Sequence, residues 1–490
     1  MNKQRLYLSI LLLESLLMGI LPAFSQTPVN LVMTIRKDPS AMMAFNWYIK
    51  GNSNEKGEVQ ILKGNKTSVD FESLATPPLT VETNSPAYWP DLPYNGSTIS
   101  YTEYKALVED LDPNTTYSFR VGNVGKTGVW SDVGTFTTTK AKGNKDDFSF
   151  IYMTDPQATV SGDFDIAKRT IQAADSRYPD ANFWLSCGDL VDKGDNEWQY
   201  DQFFNTQRDV FLKKPFAPAI GNHDAINNIR FGSRFYTDTA GFAGYGSKYG
   251  FVDQYKSTYS FVYGDALFFA LNGEYAGNNN YQQAVRDWMT AVIKSNSESN
   301  QKVKWHIVYF HKAIYTGCWH YYDYDNGNWY NKDDNSWPNY MTSLFDDLKI
   351  DIALQGHDHV YEVIGPVYNK QLVDGAVTNL QEDVNGKRFP ENITGKQGGT
   401  YNTQKGTLYF LNNSSGNKKY KPLGLKNATA EQIRDNISYF NLFTGRFGQT
   451  GLPTYSYMTV STDTITITTY EIAGNTDRVF DEIKIVKPSL

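Results

Sequence analysis

Ile350-Asp351-Ile352-Ala353-Leu354-Gln355-Gly356-His357-Asp358-His359 is the stretch on which the fold turns. Its apolar run predicts a buried strand, a glycine ends it, and two imidazoles two residues apart follow at once. Four earlier apolar runs end in the same way. Phe148–Met153 leads into Asp155-Pro156-Gln157, Phe183–Cys187 into Gly188-Asp189-Leu190-Val191-Asp192, Phe216–Ile220 into Gly221-Asn222-His223-Asp224, and Val303–Phe310 into His311. Phe164–Ser176, Trp198–Leu212 and Tyr281–Ser295 carry helical periodicity between them. Strands alternating with helices predict an α/β layer structure around a buried sheet. Ligands of such sheets lie outside the carboxyl ends of the strands, where these five blocks fall.

Each block alone has an ordinary explanation. A carboxylate that ends a strand caps helices, Asn222 and Asp224 flank a turn, and a lone His311 is more often hydrogen-bonded than metal-bound. Together the ordinary explanations fail. The chain has six histidines, and four of them lie in these blocks. Five strand ends presenting oxygen and imidazole donors, with glycines allowing close approach, are what a two-cation site requires.

In order and spacing the blocks resemble the signature of the calcineurin-like metallophosphoesterase superfamily: D-x-H/G, G-D, G-N-H-D/E, H and G-H-x-H. The resemblance covers residues 148–486 and implies a four-layer αββα sandwich with a dinuclear centre. Carried over by position, Asp155, Asp189 and His359 would hold the first metal. Asp189 would bridge, and Asn222, His311 and His357 would complete the second. A carboxylate is needed between two cations about 3.5–4 Å apart, and water held there becomes the nucleophile. His223 would stabilise phosphate or protonate the leaving group, with Asp224 orienting its ring; alternatively it is a supporting histidine. Plant-type purple acid phosphatases place a substrate-side histidine where His320 lies, although a loop histidine among aromatics could equally be a surface stacking residue. Two departures stand out. Asp192 replaces the tyrosine whose bond to ferric iron gives purple acid phosphatases their colour. Gln157 occupies a position where other branches carry histidine, and its neutral amide oxygen would be a weaker ligand. Asp192 itself could be a ligand, a supporting base or a turn carboxylate. Zinc, manganese or ferrous iron is the expected metal.

Residues 28–140 read differently, as short strands and turns. In Leu111-Asp112-Pro113-Asn114-Thr115-Thr116-Tyr117-Ser118-Phe119-Arg120-Val121 a turn feeds a strand with Tyr117, Phe119 and Val121 on one face. The stretch resembles a fibronectin type III-like sandwich, as found at the N-terminus of purple acid phosphatases. Charged, turn-rich Lys140–Asp147 is the linker. At the start, Lys3 and Arg5 precede an apolar run from Leu6 to Leu21, and Ala23-Phe24-Ser25 supplies a small-x-small cleavage pattern. Residues 1–25 are therefore expected to be a signal peptide rather than an anchor, and the protein exported to a periplasmic, cell-surface or extracellular location.

Composition narrows the remaining classes. A net charge of −7 argues against nucleic-acid partners, and one apolar run against a polytopic membrane protein. Two cysteines, Cys187 and Cys318, exclude a disulfide scaffold, and nothing in the sequence supports a bond between them. The Tyr309–Trp337 loop, rich in tyrosine and tryptophan, is either a stacking wall for substrate or a packed surface loop. The segment from Gly375 to Lys405 is expected at the surface. Thr407–Asn412, Tyr455–Val460, Thr464–Tyr470 and Phe480–Val486 are expected to return to the second sheet. The functional expectation is a hydrolase of phosphorylated small molecules, cleaving a phosphomonoester by metal-bound hydroxide. A phosphodiesterase, or a carbohydrate- or protein-binding module with a degenerate site, is the alternative.

Overall fold

The apolar runs pair into two sheets laid face to face. A computed structural model describes residues 27–487, apart from 69–70, 72, 75–76, 84, 124–128, 142–143, 228–229, 300–301, 319–321, 326–327, 332–335, 382–392, 395 and 421–441. Phe148–Met153, Phe183–Ser186 and Phe216–Pro218 form a parallel set in the first sheet. Ala266–Ala270, Trp305–Lys312, Ile352–Gly356 and Thr407–Asn412 form a parallel set in the second.

Because side chains alternate across a strand, each strand serves two cores. Phe183 and Leu185 meet Phe268, Ile307, Leu354 and Phe410 between the sheets. Trp184, between them in sequence, faces outward onto Phe164, Ile171, Tyr200 and Phe203 of helices Ser161–Arg177 and Glu197–Thr206. Val308 and Phe310 face the opposite way, onto Trp288 of Asn279–Glu298 and Phe345 of Ser336–Leu348. Helix, sheet, sheet, helix is the resulting order of layers. Phe150 and Phe183 stack with centroids 4.9 Å apart, a pair worth about 0.5–1.5 kcal/mol beyond its area.

Residues 29–137 form a β sandwich. Val29–Thr34, Met43–Lys50, Ser97–Val108 and Ala87–Tyr94 face Leu79–Glu82, Gly57–Lys63, Thr116–Asn123 and Gly134–Thr137 across a core of Phe45, Trp47, Ile61, Phe119 and Phe136. Val29–Thr34 also pairs in parallel with Phe216–Pro218, so the first sheet continues from one body into the other. The face of Arg120 is covered as well: its guanidinium lies between the rings of Phe71 and Trp130 and donates to Gln60.

Three sequence expectations change. The helix expected over 198–212 breaks at Gln207 into Glu197–Thr206 and Arg208–Phe211, where the Thr206 hydroxyl takes the carbonyls of Gln202 and Phe203. Of the four late strands, only Thr407–Asn412 joins the second sheet. Thr454–Val460 takes the open edge of Phe148–Met153, and Thr464–Ala473 and Thr476–Val486 follow it into the first. The 375–405 segment is not all surface: Gln397–Asn402 pairs with Thr476–Val486, which draws Tyr401 into the core. Residues 1–25 and His320 lie outside the described residues, as does much of the aromatic loop.

Candidate metal centre

Parallel pairing sets the strand ends level. Ser186 is registered with Met153 on one side and Pro218 on the other, so the turns that follow all open at the same edge of the first sheet. In the second sheet Phe310 pairs with Gln355 and Lys312 with Gly356, which leaves His311 as the extra residue of a bulge and frees it from the ladder. Asp155, Asp189 and His357 all adopt left-handed backbone, with φ of 54°, 51° and 72°. Non-glycine residues rarely do so, and such strain concentrates at functional sites. Glycine is required beside them. A Cβ on Gly221 would lie 2.1 Å from Asp189 Oδ1, and one on Gly356 2.3 Å from the Thr154 hydroxyl.

The donors converge as a result. His311 donates from Nδ1 to the Cys187 carbonyl at 2.8 Å, which leaves a lone pair on Nε2. Around that nitrogen stand Asn222 Oδ1 at 3.0 Å, Asp189 Oδ2 at 3.1 Å and His357 Nδ1 at 3.2 Å. Asp189, His311 and His357 are all buried and their ligand atoms form one group that could hold a cation. Beside it, His359 donates from Nδ1 to the Lys418 carbonyl and turns Nε2 to Asp155 Oδ1 at 3.1 Å. Lone pairs facing lone pairs in a buried cluster call for positive charge. The electrostatics show the same demand for positive charge, which a proton on the ring or a cation beside it can meet. Burial disfavours a charged His311, yet the adjacent Asp189 carboxylate overrides it and pushes the ring up to about 10. Burial would raise Asp155, but His359 holds it below the usual carboxylate range. Nitrogen and oxygen donors of this kind suit zinc, manganese or iron.

Asp155, Gln157, Asp189, Asn222, His311, His357 and His359 are thus brought together. His223 sits at the rim with 24% of its side chain exposed, its backbone N–H on Asp189 Oδ1. Asp224 does not orient the His223 ring. Its carboxylate is fully buried and accepts from the backbone of Leu190 and Gly221 and from the Tyr200 hydroxyl, so it braces the turn that carries Asn222. The ring is fixed instead by the Asp192 carbonyl, which accepts from Nδ1 at 2.7 Å. Burial and the charge of Asp189 push Asp224 up to about 7. Cys187 and Cys318 are buried and are not joined in a disulfide.

Sequence reasoning missed a sixth strand end. Thr407–Asn412 runs into Asn413-Ser414-Ser415-Gly416-Asn417-Lys418-Lys419-Tyr420, and this loop lies against the centre. Ser414 donates to the Asp155 carbonyl, Lys418 pairs with Asp192, and Tyr420 stacks on His359 with centroids 4.1 Å apart. The rule used for the other five strands would have found it; what hid it was the lack of a histidine or aspartate.

Comparison with known proteins follows the same division. Residues 128–361 match the family model of calcineurin-like phosphoesterases, and residues 28–138 that of the purple acid phosphatase N-terminal domain. A curated relative from Arabidopsis thaliana, named "Probable inactive purple acid phosphatase 1", is 25% identical over 309 residues. The match takes in 58% of this chain and 47% of the relative, so the chain spans about half the relative's length. A solved purple acid phosphatase from yellow lupin (Lupinus luteus) seeds superposes with a TM-score of 0.68 over 94% of this chain and 75% of its own, at 15% identity, a likeness of fold.

Proposed function

We propose that this chain, a calcineurin-like phosphoesterase domain carried behind a purple acid phosphatase N-terminal domain, is an exported metal-dependent phosphomonoesterase. One observation carries the reading: His311 Nε2, with its proton committed elsewhere, faces three further donor atoms of Asp189, Asn222 and His357 within 3.2 Å. A cation held by those four side chains would supply Lewis acidity toward water and phosphoryl oxygen. The expectation of two cations divides the centre into this half and a second around Asp155, Gln157 and His359, which shares Asp189.

The chain's own groups then have distinct tasks. Asp189 is steadied by the His223 N–H at 2.8 Å, which keeps its carboxylate oriented toward His311. His223, whose Nδ1 donates to the Asp192 carbonyl, would hydrogen-bond a phosphoryl oxygen or protonate a leaving alkoxide from Nε2 when the ring carries its second proton, and would accept there when it does not. Asp224 holds the turn beneath both. The charged N-terminus with its apolar run and Ala23-Phe24-Ser25 supports export, and a mature form beginning at Gln26 would be its signature. Among the described residues no helix is long and apolar enough to cross a membrane.

The test compares p-nitrophenyl phosphate with its bis ester, using protein stripped by chelation and reloaded with manganese, zinc or ferrous iron. Metal-dependent cleavage favouring the monoester is expected. Preference for the bis ester would make the chain a phosphodiesterase. Inertness toward both in metal-loaded protein would refute the hydrolase. A binding module is the second reading, favoured by the amide of Gln157 where a stronger ligand is expected; glycan binding that survives chelation, without hydrolysis, would select it.

A further inference from the structure

The half of the centre around Asp155 is furnished differently from the half around His311. Gln157 is fully buried there, and its amide has one orientation that satisfies both ends. Nε2 donates to Asp189 Oδ2 at 2.8 Å, and Oε1 accepts from the Lys418 ammonium at 3.1 Å. The carboxylate oxygen that faces His311 therefore also carries an amide hydrogen, in the place where a bridging ligand would reach a second ion. The same Lys418 ammonium forms an ion pair with Asp192, the residue at the position of the metal-binding tyrosine. Asp155 is already engaged as well: Oδ2 accepts from the Thr154 hydroxyl at 2.6 Å and from the His357 N–H at 3.1 Å.

Lys418, with 32% of its side chain exposed, is held in place by its own backbone and by the loop around it. Its carbonyl accepts from His359 Nδ1 at 3.0 Å, Ser415 N–H donates to the Thr154 carbonyl at 2.9 Å, and Gly416 packs so closely that a Cβ would lie 2.9 Å from Pro156. The ring that would be a ligand of the first metal thus also fixes the loop that delivers the ammonium. Lys419, next along the loop, donates to the Gly416 carbonyl at 2.7 Å, and burial lowers it to about 7 although Asp155 pulls it upward. Charge counting favours a single ion. Three carboxylates, Asp155, Asp189 and Asp192, are balanced by one divalent cation and the Lys418 ammonium. Adding a second divalent cation would leave an excess positive charge in a buried cluster, which is costly.

We infer that Lys418 supplies the positive charge on the Asp155 side of the centre, so that the chain holds one divalent cation, among Asp189, Asn222, His311 and His357, instead of two. This rests on the metallophosphoesterase reading of the same site. It assigns Gln157 and Asp192 a common purpose, the anchoring of an ammonium.

The experiment loads chelator-stripped, full-length protein with manganese(II), then measures manganese per chain by elemental analysis and its electron paramagnetic resonance spectrum. One ion per chain with the spectrum of an isolated ion is expected. Lys418→Arg, which keeps the charge, should remain at one. Lys418→Ala combined with Gln157→His should rise to two, with a spectrum broadened by coupling between neighbouring ions. Two coupled ions in the unaltered protein would overturn the inference while leaving the hydrolase intact. No bound ion would overturn the hydrolase reading itself. A folded double variant, checked by circular dichroism, that still takes one ion would show that Lys418 does not set the number.

Discussion

Gly221→Ala is the sharpest test of how the centre is built, because the change is one methyl group. Its Cβ would lie 2.1 Å from Asp189 Oδ1 and 2.2 Å from the Asp189 backbone nitrogen. Ordinary contact begins near 3.4 Å, so the two strand-end turns must separate by about 1.3 Å. Rotating the carboxylate alone cannot relieve the clash with the backbone nitrogen. The hydrogen bond from His223 N–H to Asp189 Oδ1, now 2.8 Å, would open beyond bonding distance, a loss of about 1.5–3 kcal/mol for a charged acceptor. Overpacking adds about 1–3 kcal/mol against folding, and a displacement of about 1 Å at a reacting centre costs on the order of 100-fold in rate. The variant should therefore melt lower, bind manganese more weakly in a chelator competition and cleave p-nitrophenyl phosphate about 100-fold more slowly. Gly162→Ala is the control. Gly162 is the second residue of the helix Ser161–Arg177 with nothing within 4 Å of its Cβ, and the change should leave stability, metal affinity and turnover close to wild type. Unchanged metal affinity and turnover in Gly221→Ala would refute the claim that the turns meet there.

Asp189→Asn should abolish turnover. The carboxylate oxygen that faces His311 Nε2 at 3.1 Å would lose the negative charge a bridging ligand needs, and near-wild-type rates on p-nitrophenyl phosphate would contradict the role given to it. His320→Ala should slow monoester cleavage more than it reduces metal content; unchanged kinetics would assign the residue to scaffolding. Acid stability should depend on Glu197. Burial alone would raise this carboxyl, but Arg234, at 2.6 and 2.9 Å, and Arg230 hold it below the usual glutamate range. Its folded form therefore binds protons less readily than its unfolded form, so its contribution is present above about pH 4.3 and is lost as pH falls through the folded value. Thermal midpoints should drop over that range in the wild type, and drop less in Glu197→Gln combined with Arg234→Met; equal slopes would count against the pair.

What could be read from the sequence was local and periodic. Strand runs ending in glycine and a donor were legible because burial forces apolar continuity and the chemistry forces donor types, and both leave marks in consecutive residues. Sheet membership was less so. Nothing within Thr454–Val460 itself says that Phe148–Met153 will leave an edge open for it, since pairing across 300 residues is decided by which partners remain. The role of Asp224 misled for a related reason: adjacency to His223 suggested contact, but in a tight turn neighbouring side chains diverge, and this one turns inward to Leu190 and Tyr200.

The Lys418 loop shows what a motif search leaves out. Donor motifs select residues that bind cations, so a residue that is itself the cation escapes them, although it answers the same electrostatic demand from the other side. Gln157 and Asp192 each looked like a loss when taken as ligands one at a time. Beside Lys418 they become two acceptors around one ammonium. The weak donor at 157 and the lysine at 418 then act as one unit, and the effect of changing either should depend on the other. Placing histidine at 157 while Lys418 remains should not create a second metal position, because the ammonium would still stand beside Asp192; only changing both residues together opens the space and the charge for another ion.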